Sequence, residues 1–125
     1  APRPHIMVVD DMITNLEVMR GILDNIYNLT LCKSGYQAIQ YMKKNPFPDL
    51  IIMDVDMPEM TGIEATVKIN EITGGTIPVL FVTAICDTQT VITCRELHAA
   101  GYIVRPYKPV YIKSEIERIL SGWRH

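Results

Sequence analysis

The sequence has few of the features that mark a chain for metal stapling, nucleic-acid binding or membrane insertion. It holds only three cysteines, Cys32, Cys86 and Cys94, with no C-x-x-C spacing. A disulfide framework needs an even, denser set and a zinc site needs closer pairs, so free thiols in a reducing compartment are expected. Basic charge is not in excess: 12 Lys and Arg stand against 14 Asp and Glu, for a formal net charge of −2. Such a balance gives no electrostatic footprint for nucleic acid or an anionic membrane. No apolar run approaches the ~18 residues needed to span a bilayer. The apolar stretch after His5 ends in two aspartates, unlike a secretion signal. The expectation is a soluble, cytoplasmic chain with no nucleic-acid or membrane partner of its own. Aromatics make up only 7% of residues while hydrophobics make up 48%, so the core must be aliphatic. Internal repeats, low-complexity segments and linkers are also missing. Residues 1–125 therefore read as one domain, large enough to bury a core without metal or disulfide.

What is present is a regular alternation. Four short apolar runs, Ile6-Met7-Val8-Val9, Leu50-Ile51-Ile52-Met53, Val79-Leu80-Phe81-Val82 and Tyr102-Ile103-Val104, are continuous rather than alternating. That is what strands covered on both faces of a parallel sheet require. Leu29-Thr30-Leu31-Cys32 alternates more and reads as an edge strand. Between the runs lie helical patterns. Leu16, Met19, Leu23 and Ile26 share one face of a first helix. Ser34 with Gln37, and Thr61 with Glu64, carry the capping-box spacing of a second and a third. Asp87 is the expected N-cap of a fourth, with Val91, Cys94 and Leu97 along it and Gly101 closing it. Ile112, Ile116, Ile119 and Leu120 make the last helix amphipathic. Five strands alternating with five helices imply an α/β fold, and right-handed crossovers leave few arrangements, among them the flavodoxin-like order 2-1-3-4-5.

In an open α/β sheet, ligands bind at the carboxyl ends of the strands, near the switch in strand order. Strand one ends in Asp10-Asp11, strand three in Asp54 and strand four in Thr83, while strand five leads into Lys108. Each residue alone has a plain structural explanation as a cap, a turn or a strand end; their convergence on one rim does not. Three crowded carboxylates repel one another, and a hard divalent cation such as Mg²⁺, which takes oxygen ligands, relieves this. With a lysine and a hydroxyl beside them, the set suits a phosphoryl group, whose transfer depends on positioning and charge neutralisation. A carboxylate can itself be the nucleophile, forming an acyl phosphate, and Asp54 is the central candidate.

The stretches Val8-Val9-Asp10-Asp11, Asp54-Val55-Asp56-Met57-Pro58-Glu59-Met60-Thr61-Gly62, Thr83-Ala84, Ala100-Gly101 and Lys108-Pro109 together resemble the response-regulator receiver family of two-component signalling, CheY-like, over essentially the whole chain. The resemblance implies a (βα)5 three-layer sandwich. It implies Mg²⁺ held by Asp10, Asp11, Asp54 and the backbone carbonyl of Asp56, and a phosphoryl group taken by Asp54 from a phosphohistidine. The donor would be a sensor histidine kinase or a phosphotransfer protein. Lys108 would pair with a phosphoryl oxygen, Thr83 would swing to bond another, and the Lys108-Pro109 peptide would be cis. Pro58 and Gly62 would shape the loop after the acceptor. Phosphorylation would switch the face made by helix four, strand five and helix five, read by an output domain or a downstream protein, with homodimerisation as one outcome. On this reading the chain is a signalling switch and not an enzyme.

One departure stands out. The family places Tyr or Phe three residues before its invariant lysine; counted from Lys108 that position is Arg105, followed by Pro106 and Tyr107. The aromatic switch is then missing, with Tyr107 or Tyr102 as stand-ins. Asp56 and Ile85 flank the path of an attacking water in the family's pattern, and Ile85 cannot orient one, so slow self-dephosphorylation is expected. Two rivals share these residues. A haloacid-dehalogenase-type phosphohydrolase would also use Asp54-Val55-Asp56, but its nucleophile normally ends the first strand. A pseudo-receiver would keep the fold and lose phosphate chemistry. A flavodoxin-like nucleotide binder is disfavoured because no Gly-rich loop follows the first strand. His5, His98 and His125 show no ligand spacing, and Cys86 reads as a structural thiol.

Overall fold

In the chain order of the computed structural model, which describes residues 2–122, strands and helices alternate strictly. They are β1 (His5–Val9), α1 (Ile13–Leu23), β2 (Asn28–Cys32), α2 (Gly35–Lys44), β3 (Leu50–Met53), α3 (Gly62–Thr73), β4 (Val79–Thr83), α4 (Thr88–Glu96), β5 (Gly101–Val104) and α5 (Pro109–Gly122). All pairings are parallel and the sheet order is β2-β1-β3-β4-β5. This is the flavodoxin-like arrangement expected from the alternation. His125 lies outside the described residues.

The continuous apolar strands behave as a doubly covered sheet requires. Alternate residues point to opposite faces. Met7, Val9, Ile51, Met53 and Phe81 pack with Ala38, Met42, Ala65 and Ile69 of α2 and α3. Ile6, Val8, Leu50, Ile52, Leu80 and Val82 pack with Leu16, Met19 and Leu23 of α1 and Ile112, Ile116 and Ile119 of α5. Each such aliphatic side chain, once fully buried, contributes about 1.5–3 kcal/mol. The edge strand β2 is only partly buried, as its alternating pattern implied.

Helix ends follow local chemistry, with three differences from expectation. Thr61 and Glu64 form the full capping box, and Gly74 closes α3 in the left-handed conformation at φ 69°. Asp87 caps α4 by accepting from the backbone N–H of Thr90 at 2.9 Å. Ser34 caps α2, but the Gln37 side chain accepts from the backbone N–H of Lys33 instead of completing a box with Ser34. The first helix stops at Leu23, which leaves Ile26 beyond it and exposed. Gly101 does not close α4: the helix ends at Glu96, His98 takes the left-handed turn at φ 61°, and Gly101 opens β5. Among the described residues, no helix is long and apolar enough to cross a membrane.

Candidate functional site

The chain reverses its direction of winding between β1 and β3, the neighbouring central strands, and the crevice outside their carboxyl ends is where such sheets bind ligands. Asp10 follows β1 and Asp54 follows β3. The ladder extends one step to each, since Asp10 N–H donates to the Cys32 carbonyl and Asp54 N–H to the Val9 carbonyl, both at 3.0 Å. Both aspartates are buried, at 4% and 3% exposure. Asp11 is half-buried beside them, and one carboxylate oxygen from each of the three lies within 4.8 Å of the others. Asp10 Oδ1 accepts from Met12 N–H at 2.9 Å, and Asp54 Oδ1 accepts from Asp56 N–H at 3.3 Å. Asp11 Oδ1 is buried with no hydrogen-bond partner. A buried, unsatisfied carboxylate oxygen facing two other acids fits a hard cation with oxygen ligands. Asp10, Asp11 and Asp54 are thus suited to hold Mg²⁺; the side chain of Asp56 is exposed.

Burial pushes the Asp10 carboxyl above its ordinary value, and the neighbouring Asp54 charge pushes it the same way. The Met12 N–H, the Arg105 guanidinium and the Asn15 side chain act against that rise.

The cation of the site is Arg105, not Lys108. The Arg105 Nη1 atom lies 3.1 Å from Asp10 Oδ2, and Nη2 lies 3.3 Å from Asp54 Oδ2. The same Nη1 also reaches the Val82 carbonyl at 3.4 Å. Lys108 is exposed, and its carbonyl accepts from the N–H groups of Tyr111 and Ile112 at the start of α5. The physical reason is reach. Strand β5 ends at Val104, so Arg105 is the first residue on the rim, still tied to β4 by its N–H to the Thr83 carbonyl at 2.8 Å. By Lys108 the chain has left the rim and turned into the helix. The cis peptide is likewise Arg105-Pro106 and not Lys108-Pro109. The segment Arg105-Pro106-Tyr107-Lys108-Pro109 contains two cation-proline pairs. Immediate succession to the apolar run was the signal that distinguished the correct one.

This shift of register also corrects the aromatic. Three residues before Arg105 is Tyr102, which occupies the position the family gives to Tyr or Phe. Its ring packs near Phe81, with centroids 6.3 Å apart, and its hydroxyl donates to the Ile85 carbonyl at 2.7 Å. Burial pushes that hydroxyl up to about 12. Pro106 lies past the end of β5 and removes no ladder donor. The departure from the family pattern is therefore an arginine in place of the lysine, while the aromatic is present.

Thr83 ends β4 fully buried, and its Oγ1 accepts from the Ile85 N–H at 3.3 Å. The loop after Asp54 is held close. Gly62 N–H donates to the Val55 carbonyl at 2.9 Å, and a Cβ at Gly62 would lie 1.9 Å from the Asp54 carbonyl oxygen. Glu59, between Pro58 and Gly62, takes a left-handed φ of 67°. Cys32 and Cys94 are buried and Cys86 is exposed, all as free thiols; burial raises Cys32 and Cys94 to about 11. Asp54 follows the third strand, which is the placement the dehalogenase-type reading does not predict.

Residues 6–117 match the family model of the response regulator receiver domain. The chain is 33% identical over 117 residues to the transcriptional regulatory protein ZraR of Escherichia coli, covering 93% of this chain and 26% of that one. It is 32% identical over 120 residues to the two-component response regulator ORR11 of Oryza sativa, covering 94% of this chain and 79% of that one. The signal receiver domain of a signal transduction histidine kinase from Syntrophus aciditrophicus superposes with a TM-score of 0.84 at 32% identity, covering 98% and 93% of the two chains. The chain thus spans about a quarter of the length of ZraR, the first of these relatives. A five-stranded parallel sheet in the order 2-1-3-4-5, an acid rim at its switch point and a match over residues 6–117 agree on one assignment: the chain belongs to the response regulator receiver domain family.

Proposed function

We propose that Asp54 accepts a phosphoryl group from a phosphohistidine on a sensor kinase or phosphotransfer protein, in a Mg²⁺-dependent reaction. The observation that carries this reading is the buried cluster of Asp10, Asp11 and Asp54 with an unpartnered Asp11 oxygen. In the transfer, an Asp54 carboxylate oxygen forms a bond to phosphorus while the phosphorus–nitrogen bond of the donor breaks. The electron pair leaves with the imidazole, and the product is an acyl phosphate. Bound Mg²⁺ would supply neutralisation of the phosphoryl oxygens during transfer. Arg105 supplies the fixed positive charge, and Thr83 a hydroxyl able to donate once rotated from its bond with Ile85 N–H. A cavity of about 210 Å³ adjoins Asp54 between α1 and the segment after β5, lined in part by Asn15, Val18, Met19, Pro106 and Tyr107, and offers the donor an approach.

The domain then acts as a cytoplasmic switch, not as an enzyme turning over a substrate. Its α4–β5–α5 face, with Ile92, Val104 and Tyr111 exposed, is the surface an output domain or downstream protein would read. The likeness to a receiver carried by a histidine kinase makes a hybrid kinase an equally good host.

A second reading, the pseudo-receiver, is favoured by one observation: a guanidinium spans Asp10 and Asp54. One experiment separates the two. The chain is incubated with a small-molecule phosphodonor with and without Mg²⁺, then weighed intact, with Asp54→Asn beside it. A single Mg²⁺-dependent phosphoryl addition, absent from the variant and decaying over minutes or longer, is the result expected of a receiver with Ile85 at the water path. A folded chain that gains no phosphoryl group from the small donor or from a cognate kinase is a pseudo-receiver.

A further inference from the structure

Each of the two innermost carboxylates has one oxygen committed to backbone. Asp10 Oδ1 accepts from Met12 N–H and Asp54 Oδ1 from Asp56 N–H. The remaining oxygen of each, Oδ2, is taken by a different nitrogen of the same guanidinium, at 3.1 and 3.3 Å. Arg105 therefore holds the two inner oxygens that are not bonded to backbone. A cation seated among Asp10, Asp11 and Asp54 draws on the same carboxylates, one oxygen of each lying within 4.8 Å of the others. A guanidinium also stays charged throughout the physiological range, so protonation cannot remove it. Its planar fork suits a two-carboxylate bridge, whereas an ammonium acts as a point charge.

Resting on the reading of these three acids as the metal site, we propose that Arg105 is a built-in competitor of the divalent cation. It is a two-pronged latch that must give up at least one carboxylate before the metal binds. The geometry carries three consequences. Without metal the acid pair is already partly neutralised, so the site keeps its shape without a cation. A bound cation would add like charge to a site that already holds the guanidinium, which opposes binding. The apparent affinity for Mg²⁺ is thus set below what the same three carboxylates would give alone. Arg105 raises the metal concentration at which the site fills, and the same residue, once released from one carboxylate, is free to meet an incoming anion.

The test is titration calorimetry of the full chain with MgCl₂, comparing wild type, Arg105→Gln and Arg105→Lys. Losing a charge-assisted hydrogen bond that competes with the metal should tighten Mg²⁺ binding about tenfold in Arg105→Gln. Arg105→Lys keeps the charge but not the fork, and should fall between the other two. It also serves as the test variant if Arg105→Gln does not fold. Affinities in both folded variants equal to or weaker than wild type overturn the latch. The outcome is separable from the acceptor chemistry. Tightened Mg²⁺ binding in a chain that takes no phosphoryl group leaves the latch standing and removes the acceptor reading. A phosphorylated wild type whose variants bind Mg²⁺ no more tightly removes the latch alone.

Discussion

Asp10 is buried against Asp54 in a site whose negative charge Arg105 only partly balances, and burial above all raises its carboxyl. A group whose folded pKa is raised contributes stability that is fully present below its unfolded value, near 3.8, and lost as pH rises through the folded value. Asp10→Asn removes that loss and keeps an oxygen for Met12 N–H, and Arg105 retains Asp54. The variant should therefore match wild type in stability below about pH 4 and exceed it at pH 7, by a margin that widens as pH rises. Urea unfolding at the two pH values checks this; a gap that is constant or shrinks with pH contradicts it. The residue scale is also where the sequence was hardest to read. Asp10, Asp11 and Asp54 each follow a strand whose apolar run is plain, so the meeting of these three acids on the rim was legible. Arg105 and Lys108 both precede a proline, and residue type alone favours the lysine. The end of β5 at Val104 decides between them: the apolar run Tyr102-Ile103-Val104 marks it in the sequence, and pairing with β4 fixes it in the fold.

At the scale of elements, the segment joining β3 to α3 shapes the site more than any other. Pro58, the left-handed Glu59 and the Thr61–Glu64 capping box bring the start of α3 back against the backbone of Asp54. Gly62 is the contact point, where a methyl group would overlap the Asp54 carbonyl oxygen and crowd the Met53 side chain. Gly62→Ala should destabilise the fold by about 1–3 kcal/mol, in the range of overpacked sites, and lower the melting temperature by several degrees. It should also move Asp54, because relief requires the β3–α3 segment to shift. Thermal denaturation followed by circular dichroism measures the first effect; an unchanged melting temperature contradicts the close approach. The N-caps Ser34, Thr61 and Asp87 that predicted α2, α3 and α4 held because caps are local chemistry, although only α3 completes the capping box. Ile26 and Gly101 were misread because helix periodicity can run past the true end. After Leu23 the chain turns, with the Ile26 and Tyr27 N–H groups both donating to the Leu23 carbonyl, and the turn after α4 used His98 instead of a glycine.

At the scale of the whole molecule, the arrangement explains why so few residues suffice. The central strands β1, β3 and β4 are buried on both faces, and the switch between β1 and β3 opens a crevice at their carboxyl ends. Side chains that follow β1, β3 and β5 meet there. The same geometry leaves the α4–β5–α5 face linked to the rim through Thr83 and through Tyr102, whose hydroxyl is anchored on the β4–α4 loop at Ile85. A change at Asp54 that draws Thr83 away from Ile85 N–H thus acts on the loop that Tyr102 holds. The proposed switch depends on an acyl phosphate at Asp54, and that species has a direct chemical signature. Borohydride reduces an acyl phosphate to the corresponding alcohol, so phosphorylated chain, reduced and digested, should yield a peptide with homoserine at position 54. Homoserine at that position, formed only after phosphodonor and Mg²⁺ treatment, is the predicted result. Phosphorylated chain that gives no homoserine there, or gives it at Asp10 or Asp11 instead, would contradict the account.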